Sequence, residues 1–312
     1  MRDKFCAAQG QAIMKFIVIM SIAGAVAIGG GIATGVGLSK TFRPDVTEYL
    51  TDEVKIDVDT AVRNYEAIKR SSKDYSKMKP DQAVQASFYL FSQEETNYSI
   101  GVGYSLASIV KQVITTRSVK DHTHYFEESN STGIVNLYDR MFCSGDTTDT
   151  YWGGDADYGS HTKVTYSNDD YKAMMGRYIS VGLVYVVAPE TMLTDESKSG
   201  DPASGITKTD DGYKIEIELD PIRGVTNYQK QMKTISNLAG YPSFDYCHLT
   251  IYTDADLNLK RFETHEQYLA VTSSGVGSKA EGRLVTEYYH NTLPDYGFPE
   301  PGSKLPDFPE SL

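Results

Sequence analysis

A chain of 312 residues can bury a sizeable core and form one large or two ordinary domains. Its net charge of −12 and pI near 5.0 argue against a nucleic-acid partner, because phosphate recognition wants a basic face. Tyrosine, at 23 residues against 11 Phe, is the dominant aromatic and suits half-exposed strands and recognition surfaces.

In chain order, residues 1–15 come first and carry Arg2, Lys4 and Lys15 with only Asp3 to offset them. The next stretch, FIVIMSIAGAVAIGGGIATGVGL at 16–38, has no charge and is long enough for one bilayer crossing at about 1.5 Å per residue. Residues 16–22 with Ala25-Val26-Ala27 would suit a cleaved signal peptide. The apolar run continues well past that triplet, which favours an uncleaved transmembrane anchor. The charge placement keeps the N-terminus in the cytosol and puts residues from about 40 onward outside the cell membrane. Lys40 and Arg43 weaken the contrast, but large domains cross regardless of such charges. Ala23, Ala27, Gly31 and Gly35 recur every fourth residue, a ladder that would let two such helices approach closely.

A polar stalk at 39–58 leads to the main domain, expected over 59–290. Asp59 or Thr60 would cap a helix through about Arg70 with Ala61, Tyr65 and Ile68 on one face. Pro80-Asp81 opens a second helix through AVQASFYLFSQ. Period-two patterning then predicts strands at 99–106, 109–119, 122–128, 134–142, 179–187, 213–219, 244–253, 257–264, 268–272 and 283–289. Two helices interrupt them, one from Asn168 to Met175 and one from Thr226 or Asn227 to about Leu238 with Tyr228, Met232 and Ile235 on one side. SGDTTDTYWGGDADYG and DESKSGDPASG read as turns. Residues 291–312, rich in proline, read as an extended exposed tail. The fold class is α+β: a strongly curved antiparallel sheet packed on helices, preceded by one transmembrane helix.

Within GYKIEIELD at 212–220, Ile215, Ile217 and Leu219 point one way while Lys214, Glu216 and Glu218 point the other. In FDYCHLTIYT, Cys247, Leu249 and Ile251 share a face. These dry faces either close a core or line a groove for a greasy ligand. Cys6 falls on the cytosolic side, whereas Cys143 and Cys247 fall outside, where a disulfide is chemically permitted; a bridge and two buried thiols both suit the spacing.

Catalytic motifs lack their structural context. Ser108-x-x-Lys111, Tyr166-Ser167-Asn168 and Lys198-Ser199-Gly200 follow the order of serine β-lactamase motifs, but Lys198 lies in a Gly/Ser/Asp loop instead of a strand. His122-Thr123-His124 reads as a polar strand end, since no further zinc ligand stands nearby. Asp254-x-Asp256-x-Asn258 begins like a calcium loop, yet Leu259 stands where the sharp-turn glycine belongs, so an ordinary turn is expected. Neither metal nor cofactor nor catalysis is expected.

The order of elements from GYKIEIELD through the 226–238 helix and FDYCHLTIYTDADLNLKRFETHEQYLAV resembles the lipoprotein-carrier superfamily of LolA, LolB and the LppX/LprG-type surface lipoproteins, over roughly residues 60 to 290. The resemblance implies a half-barrel wrapped over helices, with an apolar cavity for acyl chains and no catalysis. Under it, Ile215, Ile217, Leu219, Leu249 and Ile251 are the candidate ligand contacts. No Cys follows the apolar segment to carry a lipid, which favours a tethered domain. Two functions follow: a membrane-tethered extracytoplasmic domain binding a lipid or other amphiphile, or a cell-surface adhesion or assembly module meeting a protein or the cell wall.

Overall fold

The computed structural model describes residues 54, 56–107, 109–133, 136–193, 204–236, 238–271, 275 and 277–312. The 16–38 span with Ala23, Ala27, Gly31 and Gly35, nearly all of the stalk, Ser108 and residues 198–200 lie outside them. No helix among the described residues is long and apolar enough to cross a membrane.

Two helices come first, α1 (Val58–Ser71) and α2 (Pro80–Gln93). The cap of α1 is Asp57, not Asp59 or Thr60: its carboxylate accepts from the Thr60 amide at 2.9 Å and the Thr60 hydroxyl at 2.6 Å. Ala61 and Tyr65, one turn apart, bury the inward stripe. Tyr65 stacks on Tyr75 at 5.3 Å, and Tyr213 meets Tyr75 edge-on at 5.8 Å. Helix α2 starts at proline, whose missing N–H costs nothing at a helix start. Its polar Gln85 is buried and donates to the Val187 carbonyl at 2.8 Å.

Eleven strands among the described residues form one curved, unclosed antiparallel sheet. The first meander is β1 (Thr96–Ala107), β2 (Val110–Asp121), β3 (His124–Thr132), β4 (Leu137–Ser144), β5 (Thr147–Gly153) and β6 (Thr162–Ser167). Helix α3 (Asn168–Met175) follows it. The second is β7 (Gly205–Thr209), β8 (Gly212–Glu218), helix α4 (Thr226–Ser236), then β9 (Ser243–Thr253), β10 (Leu259–Val271) and β11 (Gly277–His290). Pairing of β1 with β11 joins the two meanders, so β6 and β7 are the open edges. Gly103 belongs to that seam because a Cβ there would sit 2.1 Å from the Arg283 carbonyl oxygen.

Several expectations are corrected. Residues 179–187 form no strand: Gly182 turns back at φ +72, and the segment is irregular, exposed at Val181 and buried at 185–187, where the Val186 amide bonds to the Gly224 carbonyl. Strands β5, β6 and β7 occupy segments read as turns or left unassigned. Their Thr-rich sequence lacks apolar alternation, yet Thr148 and Thr150 are fully buried. The strand expected from 122 begins only at His124, and His122 sits in a turn at φ +53 bonded to Asp121, the polar strand end its sequence suggested. Cys143 on β4 and Cys247 on β9 are free and buried. Six strand spacings of about 4.8 Å separate them along the sheet, far more than a disulfide spans.

The tail is also not a free end. It lies on the convex face over a buried ionic cluster in which Glu128 meets Arg117 at 2.8 Å and Arg140 at 3.2 Å, and accepts from the Tyr158 hydroxyl at 2.8 Å. Arg117 donates to the Pro306 carbonyl at 2.8 Å and Arg140 to that of Ser303 at 2.6 Å. The Phe308 ring covers the Arg117 guanidinium at 3.7 Å. A proline-rich strand makes few donors but keeps every carbonyl, and guanidinium forks need acceptors.

Beneath α1 and α2 lies the closed core, in which Ile217 is 2% exposed. Ile217→Ala is expected to cost about 2–5 kcal/mol through lost transfer energy and the cavity left behind, read by denaturant unfolding. On the convex face, Phe308→Ala should cost about 0.5–2 kcal/mol if the ring holds Arg117 through its π face, read in the same way.

Candidate functional site

The concave face changes character across the sheet. On β8 and β9 the inward side chains are Tyr213, Ile215, Ile217, Cys247, Leu249 and Ile251, which fill the space below α1 and α2. On β1 to β3 and β11 many are small or hydroxylic, Ser99, Ser105, Thr116, Ser118, Ser129, Ser131, Gly282 and Thr286, with Ile114, Tyr125, Leu284 and Tyr288 among them. The short ones cannot reach the opposite layer. A cavity of about 500 Å³ remains between them and a wall built from α2, α4 and the 175–185 segment.

The opposite wall is largely apolar. Phe88 and Phe91 of α2 meet Tyr288 edge-on at 6.1 and 5.0 Å, and Phe88 meets Phe262 at 5.9 Å. Met175, Ile179, Leu183, Val184 and Met232 continue that wall. The hydroxyl wall satisfies itself in part: Ser99 and Ser118 bond to each other at 2.7 Å, and Ser105 bonds to the Tyr268 hydroxyl at 3.0 Å. The cavity thus offers both hydrocarbon surface and a cluster of hydroxyls.

Two acidic positions complete it. Glu266, inward on β10, accepts from the Tyr185 hydroxyl at 3.1 Å and the Tyr228 hydroxyl at 3.0 Å. Burial pushes its carboxyl up to about 7, against the pull of those two hydrogen bonds. Burial, with the Glu266 charge beside them, holds both phenols well above their usual range. Across the cavity, Asp139 of β4 is pushed up to about 8 by burial and by Glu127, with Arg177 opposing. Glu127 on β3 is bound by Arg177 at 2.5 Å.

The five candidate ligand contacts lie elsewhere. Ile215, Ile217, Leu219, Leu249 and Ile251 are buried in the closed core with Tyr65, Val84 and Leu259, and none lines the cavity. Cys143 and Cys247 belong to two separate apolar clusters. The Asp254 carboxylate serves its own turn, accepting from the Asp256 and Asn258 amides at 2.8 and 2.9 Å. Sequence reasoning missed Glu127, Asp139, Arg177, Tyr185 and Glu266. A signal existed for Glu266, which stands in phase with Phe262, Thr264 and Tyr268 on a face otherwise bound for the interior.

No protein-family model matches the sequence, and no curated protein does. Among solved structures, the chain is similar to LprF from Mycobacterium bovis (12% identity, 72% of this chain and 97% of that one covered, TM-score 0.30). It is also similar to the lipoprotein LppX of Mycobacterium tuberculosis (9%, 69% and 97%, 0.32). A third is a LolA superfamily protein from Nitrosomonas europaea (9%, 70% and 96%, 0.26).

The two raised carboxyls set a pH dependence. Each has a folded-state value, about 7 for Glu266 and about 8 for Asp139, above its ordinary 4.5 or 3.8, so the folded chain keeps protons that the unfolded chain has released. Their stabilising contribution is complete below the ordinary values and is lost as pH rises through about 7 and then about 8. The melting temperature of the double variant Glu266→Gln, Asp139→Asn should therefore fall less than that of the wild type over this window, measured by calorimetry.

Proposed function

We propose that the protein binds a lipid or other amphiphile in this cavity and performs no catalysis on it. The observation that carries the reading is one cavity that offers both hydrocarbon surface, from Phe88, Phe91, Met232 and Leu284, and a cluster of hydroxyls, from Ser99, Thr116, Ser118 and Ser129, a lining fitted to a molecule with two chemical ends. Its volume of about 500 Å³ falls within the 300–1,000 Å³ typical of small-molecule sites. Among the described residues, the serine and threonine hydroxyls of the lining bond to no histidine, lysine or carboxylate, the arrangement an activated nucleophile would need. Tethering by residues 16–38, with the domain on the outer side of the cell membrane, belongs to the same proposal. It is supported by the length and charge-free composition of that span and by Arg2, Lys4 and Lys15 before it.

A cavity-filling variant tests the reading. Ser129→Phe places a ring among the hydroxyls of β2 and β3 without touching the closed core. Full-length wild-type protein, incubated with dodecanol and examined by native mass spectrometry, should carry a bound amphiphile, and the variant should carry at least about tenfold less, a difference of about 1.4 kcal/mol in binding. Wild-type protein that carries no amphiphile after purification and after incubation would overturn the proposal.

A further inference from the structure

The acidic end of the cavity sets two carboxylates, Asp139 and Glu127, beside one guanidinium, Arg177. Asp139 is 7% exposed, lines the cavity, and its Oδ1 has no hydrogen-bond partner. Its strand neighbours are Ser129 on one side and Trp152 on the other. Glu127 faces the same space from β3, and Arg177 is committed to it at 2.5 Å. Two carboxylates therefore share one guanidinium. Lys120 also lines the cavity, but its Nζ donates to the Ser92 carbonyl at 2.6 Å and lies near Glu94 and Glu95. A buried carboxylate left without partner is costly, and the cost is removed by a second positive charge with N–H donors.

We propose that the amphiphile held here carries a cationic amine headgroup, with its ammonium bound by the Asp139 carboxylate and its hydrocarbon chain directed toward the aromatic wall of α2. This rests on the amphiphile reading above and names the headgroup that reading leaves open. An anionic headgroup would meet two carboxylates against a guanidinium already engaged. A neutral alcohol would meet the hydroxyl wall but leave the charge of the cluster as it is. The elevated proton affinity of Asp139, caused first by burial and then by Glu127, agrees with the geometry: both favour a positive partner at that carboxylate.

The test uses Trp152, the one tryptophan of the chain, which lies opposite Asp139 across β4 and β5. The full chain in phosphatidylcholine nanodiscs is titrated with dodecylamine, dodecanol and dodecanoate, following Trp152 fluorescence and subtracting partition into empty discs. Dodecylamine should bind at least about tenfold more tightly than dodecanol, and dodecanoate most weakly, as expected for a charge-assisted hydrogen bond. Asp139→Asn should lower the affinity for the amine by about tenfold. Should that variant fail to fold, the ranking in the wild type still decides. Dodecanol or dodecanoate binding as tightly as the amine would overturn the headgroup assignment while leaving the cavity reading standing. Failure of all three to bind would overturn both.

Discussion

The antiparallel pairing of β1 with β11 is the constraint on which the rest depends. It runs from Asn97 opposite His290 to Ala107 opposite Ala280, joining residues nearly two hundred positions apart. Every other strand pair in the sheet is a neighbour in sequence. Without this seam the chain is two meanders, each with a bare edge and neither able to enclose a volume. Closing so long a loop is entropically costly and must be offset by contacts made at once. Glu94, just after α2, supplies a local clamp: it binds His290 Nδ1 at 2.6 Å and the Asn291 amide at 3.1 Å. The same carboxylate thus fixes the end of α2 against the end of β11, which sets α2 across the concave face.

Once α2 lies there, side-chain volume decides which part of the concave face is core and which is cavity. Ile, Leu and Tyr on β8 and β9 are long enough to meet α1 and α2, and they exclude water and ligand alike. The many serines, threonines and glycines on β1, β2, β3 and β11 are too short to fill that space, although Ile114, Leu284 and Tyr288 stand among them. A large change in function therefore comes from a small change in side-chain length across one continuous sheet. The convex face is settled by different means: a buried cluster of Arg117, Glu128 and Arg140 is covered by tail carbonyls that accept what the guanidinia still have to donate.

Much of the scaffold was legible in the sequence because alternation survives where one face is dry. Strands β8, β9 and β11 and helices α1 to α3 lie close to where periodicity puts them. Strands β5 and β6 were not legible, since both faces are polar and their burial is carried by Thr148 and Thr150 hydroxyls bonded to Asn168 and Val164. Nor was β10 as one strand, because an inward glutamate, Glu266, interrupts the apolar pattern and makes one strand read as two. The candidate site was misplaced for a related reason. The most hydrophobic face in the sequence, Ile215, Ile217, Leu219, Leu249 and Ile251, is the one that packs most completely, so it has no space left for a ligand.

The residues that break the pattern are the ones that define the site. Glu266, Asp139 and Glu127 occupy inward positions where an apolar side chain would fill space and avoid the cost of desolvation. Glu266 is partly compensated by two phenol donors, and Glu127 by Arg177. Asp139 shares the field of Arg177 with Glu127, and its Oδ1 accepts no hydrogen bond. A leucine beside Ser129 and Trp152 would avoid the desolvation cost that the buried carboxylate carries. Local rules are broken in folded proteins mainly where function requires it. The carboxylate whose Oδ1 lacks a hydrogen bond is therefore the feature of the concave face least explained by folding and best explained by an occupant.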